Sequence, residues 1–294
     1  MTKRKNKSAT HELFEKHAQD FAYCEQIIKE KSKSFYAAFS RLPREKALSV
    51  YAIYAFCREA DDSIDLFKDE MRLNRLKQEL LQFQEGVVPN RPVWRALSVV
   101  FQLYPMDFQA FYDMIKGQEM DAVFVQPETQ EELEDYCYYV AGSVGLMLLP
   151  LLTKEPEKIK GQAVALGKAM QLTNILRDVG EDYRASRIYL PVQKLEQFKG
   201  ATAAIENNSV TKDFAALWEM EAQRAEVLYD TALPMMRWIE PDCQEPLLLA
   251  ALFYREILAV VREHKYECFS QKHFVKKSQK LALYYSAKMK LKEV

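Results

Sequence analysis

Leu166-Gly167-Lys168-Ala169-Met170-Gln171-Leu172-Thr173-Asn174-Ile175-Leu176-Arg177-Asp178-Val179-Gly180-Glu181-Asp182 is the stretch on which the fold turns. Its apolar residues recur at helical spacing, while Gln171, Asn174, Asp178 and Asp182 step by 3, 4 and 4 along one side. On an α-helix such steps hold side chains within an arc of roughly 60–80°. Carboxylates in apolar surroundings are costly unless paired or bound to a metal. Upstream, Asp61-Asp62-Ser63-Ile64-Asp65 repeats the arrangement: Asp61 and Asp65 are one turn apart, and Tyr51, Tyr54 and Arg58 continue their face. Asp62 lies about 100° off that line and takes a supporting part. Two such helices face to face make an oxygen-lined cleft suited to a hard divalent cation such as Mg²⁺, which in turn holds phosphate oxygens.

Working outward, eight glycines in 294 residues and abundant Leu, Ala, Glu, Lys and Gln favour helix throughout. The spacing predicts helices at 44–64, 70–84, 92–103, 107–119, 129–152, 157–183, 212–237, 244–265 and 272–290. Pro43, Gly86 to Pro89, Pro105, Pro127, Pro156, Asn207-Asn208-Ser209 and Pro241 fall between them. No strand alternation, repeat or low-complexity segment stands out. The expected architecture is all-α: one domain over 11–294, about ten helices around a central cleft, after a disordered polar lead over 1–10.

Charge and cysteine usage narrow the function. Forty-one basic against 42 acidic residues give no global field, so nucleic acid is not an expected partner. The basic clusters at Lys3 to Lys7 and among the C-terminal lysines read as solvated tails. Five scattered cysteines without a C-x-x-C pair read as reduced thiols. The N-terminus lacks an apolar signal core. Val140 to Leu152 is short for a bilayer and interrupted by Pro150. The expected location is cytoplasmic, with peripheral contact at the inner membrane face left open, as is the oligomeric state.

The constellations admit plain structural readings beside the chemical one. Along 44–64 one face grades from aromatic Tyr51 and Tyr54 to charged Arg58, Asp61 and Asp65, which suits an amphiphile with an anionic head; an exposed acidic helix end paired to Arg58 is the alternative. In the second stripe a buried ion-pair network is the alternative to metal ligation. Lys31-Ser32-Lys33-Ser34, ahead of a helix, can bind an anion or simply cap the helix. Gly142 and Gly145, one turn apart after Tyr136 to Tyr139, leave room for an acyl chain or for a neighbouring helix.

At these residues the chain resembles the squalene/phytoene synthase family. The likeness is densest from Leu166-Gly167 through Gln171, Asn174-Ile175, Arg177-Asp178-Val179 and Asp182 to Arg187, Tyr189 and Pro191. Tyr136 to Gly145, Ser32 to Phe35, and Tyr54, Arg58, Asp61, Asp62 and Asp65 also fit, and the resemblance runs from residue 20 to 290. It implies that two farnesyl diphosphates condense head to head through presqualene diphosphate to a C30 polyene. Asp61, Asp65, Asn174, Asp178 and Asp182 would hold about three Mg²⁺ bridging diphosphate. Lys31, Ser32, Lys33, Ser34, Tyr54, Arg58, Gln171, Arg177 and Tyr254 would contact the diphosphates, and Tyr136 would be a cleft tyrosine near the deprotonation. Among family products, the compact chain and the Asn174 to Asp182 run favour dehydrosqualene (4,4'-diapophytoene). Squalene, made with NADPH, and phytoene, from geranylgeranyl diphosphate, are the alternatives. A di-iron bundle is excluded because none of the four histidines has Glu three positions earlier.

Tyr51 lies about 15 Å from Asp61 along the same helix face. That spacing predicts Tyr51, with Phe39, as a floor that accepts a C15 tail and obstructs a C20 one.

Overall fold

The computed structural model describes residues 2–291. Helices follow one another as α1 (Thr2–Lys16), α2 (Ala18–Lys31), α3 (Lys33–Phe39), α4 (Arg44–Asp65), α5 (Glu70–Gln84), α6 (Pro92–Leu103), α7 (Phe108–Ala122) and α8 (Gln130–Cys137). Then come α9 (Ser143–Leu152), α10 (Lys160–Arg184), α11 (Val192–Gln197), α12 (Ala201–Glu206), α13 (Lys212–Ala232), α14 (Pro241–Glu263) and α15 (Lys277–Lys290). No strand occurs among the described residues.

The starts of these helices are written locally. Asp69, Asp107, Thr129 and Thr211 each accept a backbone N–H of the first turn, at α5, α7, α8 and α13. Pro92 and Pro241 stand in the first turns of α6 and α14, where the missing N–H costs nothing. Ser32 ends α2 and opens α3, its Oγ accepting the Phe35 N–H at 3.4 Å. α1 is anchored where Phe14 meets Phe21, ring centroids 4.8 Å apart.

α10 is central. One side packs on α13 and α14, the other on α9 and on the Tyr138–Gly142 turn that joins α8 to α9. That turn is π-helical, one residue wider than an α turn. Close packing there demands glycine: a Cβ on Gly167 would stand 2.3 Å from the Ala141 oxygen, and one on Gly145 2.5 Å from the Ala163 oxygen. The wall formed by α8, the π turn and α9 runs unbroken over Gln130–Leu152, 23 residues, long and apolar enough by composition to cross a membrane. Here more than half of its most apolar window is buried as an inner wall of the protein. α4 packs on α2, α6, α7 and α9, opposite α10, and α14 closes the remaining side through α3. A single connected core of buried side chains links these helices.

Candidate active site

Between α4 and α10 lies a cavity of about 240 Å³. α4 contributes Tyr54, Cys57, Arg58 and Asp61; α10 contributes Ala163, Leu166, Gly167, Met170, Gln171 and Asn174. On both helices the polar residues stand at the C-terminal end of the lining stretch. Ala163 to Asn174 spans about 16 Å at 1.5 Å per residue, the order of an extended C15 chain. Leu148, Leu149, Leu152, Met235 and Leu247 supply apolar wall. Phe35 gathers the aromatic side, with Tyr54 at 6.2 Å and Tyr254 edge-on at 5.3 Å between ring centroids.

The polar end carries groups without partners. Asn174 Oδ1 and Arg58 Nε are buried and make no hydrogen bond, an uncompensated acceptor and an uncompensated donor. Asp61, in contact with Arg58 at 2.8 Å, is nonetheless pushed up to about 7 by burial, with Asp65, Asp62 and Asp121 adding repulsion. Asp182 is pushed up to about 8 by burial and by Asp178 and Glu181. Other carboxylates are neutralised. Asp62 is held by Arg58 and, at 3.3 Å, by Lys31. Asp178 accepts Arg177 Nε at 2.7 Å and meets Lys272 at 3.2 Å. Asp65 accepts Arg187 Nη1 at 2.7 Å.

Arg187 arrives there because Ser186 takes a left-handed φ of 62°, which turns the chain back after α10. The same guanidinium donates to the Asp121 carbonyl at 3.0 Å. The Asp121 carboxylate accepts Tyr189 at 2.7 Å and Tyr136 at 2.9 Å, and the two rings stack at 4.9 Å. Burial raises the Asp121 carboxyl and holds the Tyr136 hydroxyl well above the ordinary phenol range.

Two expectations meet a different geometry. Tyr136 is not among the cavity-lining residues: the wider π turn directs Val140, Ala141, Val144 and Gly145 into the space instead. The neighbouring tyrosines turn toward α7, where Tyr138 donates to Asp113 at 2.6 Å and Lys116 donates to Tyr139 at 2.6 Å. Tyr51 is fully buried but does not line the cavity; it packs on Tyr36, ring centroids 5.8 Å apart, while Phe39 lines the wall. Tyr36, on α3, sits against the Tyr51 ring. Arg177, Asp65, Asp178 and Asp182 also stand outside the cavity lining, Asp65 and Asp178 each one turn beyond a lining residue.

The 31–34 segment combines both readings made of it. Ser32 caps α3 and bonds Tyr254; Ser34 Oγ accepts Lys280 Nζ at 3.0 Å; Lys33 is exposed. Burial holds the Lys280 ammonium below its ordinary range, so an anion there is favoured. Lys280, Lys272 and Asp121 join the site without having been singled out in the sequence, and Arg187, which was, reaches Asp65. A signal existed for the lysines: residues 268 to 292 contain seven of them and no Asp or Glu.

Among the described residues no three acidic, His or Cys groups converge closely enough to hold a metal alone. The site fits one all the same: a buried amide oxygen lacks a partner, two carboxyls are raised by burial and by neighbouring carboxylates, and the other carboxylates lean on Arg and Lys.

A helical barrel with carboxylate stripes at the mouth of an apolar cavity defines a terpene synthase-like, prenyl-transferring enzyme. The match is specific: residues 28–279 fit the squalene/phytoene synthase model, and the chain belongs to that family. It is 36% identical over 281 residues to a 4,4'-diapophytoene synthase of Staphylococcus haemolyticus, covering 94% of this chain and 98% of that one. A phytoene synthase of Arthrospira platensis is 35% identical over 277 residues, 88% of this chain and 89% of that one. Among solved structures, a dehydrosqualene synthase in complex with ligand superposes with a TM-score of 0.94 at 52% identity, covering 96% of this chain and all of that one.

Proposed function

We propose that this protein joins two farnesyl diphosphates head to head, through presqualene diphosphate, to dehydrosqualene (4,4'-diapophytoene). Both diphosphates leave with their bonding electrons and two protons are lost; no electrons are gained, so no reductant is needed. The observation that carries this reading is one cavity with unpartnered Arg58 Nε and Asn174 Oδ1 at its mouth and a C15-length apolar channel below.

Asp61, Asp65, Asn174, Asp178 and Asp182 would hold about three Mg²⁺, which when bound neutralise diphosphate charge as Lewis acids. Arg58 offers its free Nε–H to a diphosphate oxygen, and Lys280 with Ser34 offers a second cationic contact. Gln171, Arg177, Tyr254 and the Lys31 to Ser34 segment complete that shell. Phe35, Tyr54 and Tyr254 present ring faces and edges to an allylic cation and keep water from it. Tyr136 acts in this reading through Asp121, which it holds together with Tyr189, and not on the substrate. The enzyme works in the cytoplasm and touches a membrane peripherally to release its hydrocarbon.

Purified protein with farnesyl diphosphate and Mg²⁺, with and without NADPH, tests the proposal by product identification. Dehydrosqualene under both conditions is expected. Squalene formed only with NADPH, or phytoene as the preferred product when geranylgeranyl diphosphate is also supplied, overturns it.

A further inference from the structure

We infer that the outer face of α15, together with Phe274 just before it, docks this protein on an anionic lipid bilayer. Leu281, Tyr285 and Met289 are 56%, 61% and 61% exposed, and Phe274 is 63% exposed. At about 100° per residue the three helix positions fall within an arc of about 80°. Lys277 and Lys288 border that arc on one side, both exposed. The opposite arc, with Leu283, Tyr284 and Ala287, packs inward, and α15 rests on α14. The helix thus has two apolar faces, and only one is covered by protein.

Charge selects the occupant. From Cys268 to Leu291 there are six lysines and no acidic residue, in a chain whose formal net charge is −1. The acidic group nearest this face from a packed neighbour, Glu245 of α14, is spent on Arg41 at 2.7 Å, and Arg41 in turn donates to Tyr284. A lysine-bordered apolar stripe lying flat is the pattern of an interfacial helix on anionic lipid. A second copy of the chain is a poorer fit. The four side chains offer on the order of 500 Å², short of the ~800 Å² per partner of a stable interface, and like charges would meet across it.

The location suits the chemistry, and in this respect the inference rests on the proposed reaction. Lys280 binds Ser34 and Lys272 meets Asp178, so α15 and its approach stand beside the cavity mouth. A C30 hydrocarbon leaving that mouth needs a lipid sink at hand.

The test is sedimentation of the full chain with vesicles of phosphatidylglycerol and phosphatidylcholine, against phosphatidylcholine alone, without substrate. Binding to the anionic vesicles at least tenfold tighter is expected, with release at about 0.5 M salt, where the Debye length is short. Leu281→Ser/Tyr285→Ser/Met289→Ser and, separately, Lys277→Glu/Lys288→Glu should each weaken binding at least tenfold, each lysine contributing about fivefold. Turnover of farnesyl diphosphate in detergent solution should stay at the parent level, which also shows that the variants are folded. The inference is overturned if the parent ignores anionic vesicles, if both variants bind undiminished, or if light scattering shows a dimer that the apolar variant abolishes. Because binding is read without turnover, it stands or falls separately from the identity of the product.

Discussion

At the mouth of the cavity, Arg58 Nε and Asn174 Oδ1 are buried without partners and Asp61 is pushed toward protonation, as is Asp182 about two turns beyond Asn174 on α10. Along its wall, Leu148, Leu149, Leu152, Met235 and Leu247 close apolar surface against apolar surface. The first region leaves buried polar groups uncompensated; the second is apolar throughout. Substitutions should therefore separate. Those at the mouth should cost rate and spare stability, and those in the wall should cost stability and alter which chain length fits.

The largest effect is expected at the mouth. Asp61→Asn or Asp178→Asn should lower turnover about a thousandfold, on the order of 4 kcal/mol in the barrier, with a melting temperature for Asp61→Asn at or above the parent's. Steady-state rates and thermal melts on the same preparations check this; an active Asp61→Asn enzyme would remove the metal assignment. In the wall, Phe39→Ala should cost about 3 kcal/mol of stability and let geranylgeranyl diphosphate through to a C40 product. Tyr51→Ala should do so to a smaller extent, since Tyr51 stands outside the lining; a Tyr51→Ala enzyme richer in C40 product than Phe39→Ala would move the floor to Tyr51. Gly167→Ala, which forces a methyl against the Ala141 carbonyl, should cost about 2 kcal/mol, read as a denaturation midpoint. The smallest effect is a pH slope. A carboxyl in the unfolded chain titrates near 4, while Asp61 and Asp182 titrate at about 7 and about 8 in the fold. Across that window the native state binds more protons, so stability falls as pH rises and levels off above about 8. The metal-free protein should melt a few degrees higher at about pH 6 than at about pH 8.5, and Asp182→Asn should flatten the difference.

The same contrast explains what could be read in advance. α4, α5 and α6 run within one residue of the stretches expected from periodicity, because each is long and bounded by Pro or an N-cap. α11 and α12, six residues each, offer too few turns for a period to register. The mouth is legible because its residues share two helices and repeat every turn. The wall is not, because Phe39, Leu148, Met235 and Leu247 come from separate elements, and nothing in one sequence says that Phe39 and not Tyr51 reaches the space. Lys280 escaped for a related reason: only tertiary packing carries it to Ser34, 246 residues away.

The π turn at Tyr138–Gly142 sets a phase. One extra residue rotates everything after it by about 100° relative to an uninterrupted helix. It lets α8 keep Tyr136 on Asp121 while α9 offers Val144, Gly145 and Leu148 to the cavity. A single-residue deletion there would leave the composition of the wall almost intact and turn it to face elsewhere. This segment should accordingly tolerate conservative replacement far better than any change in residue count.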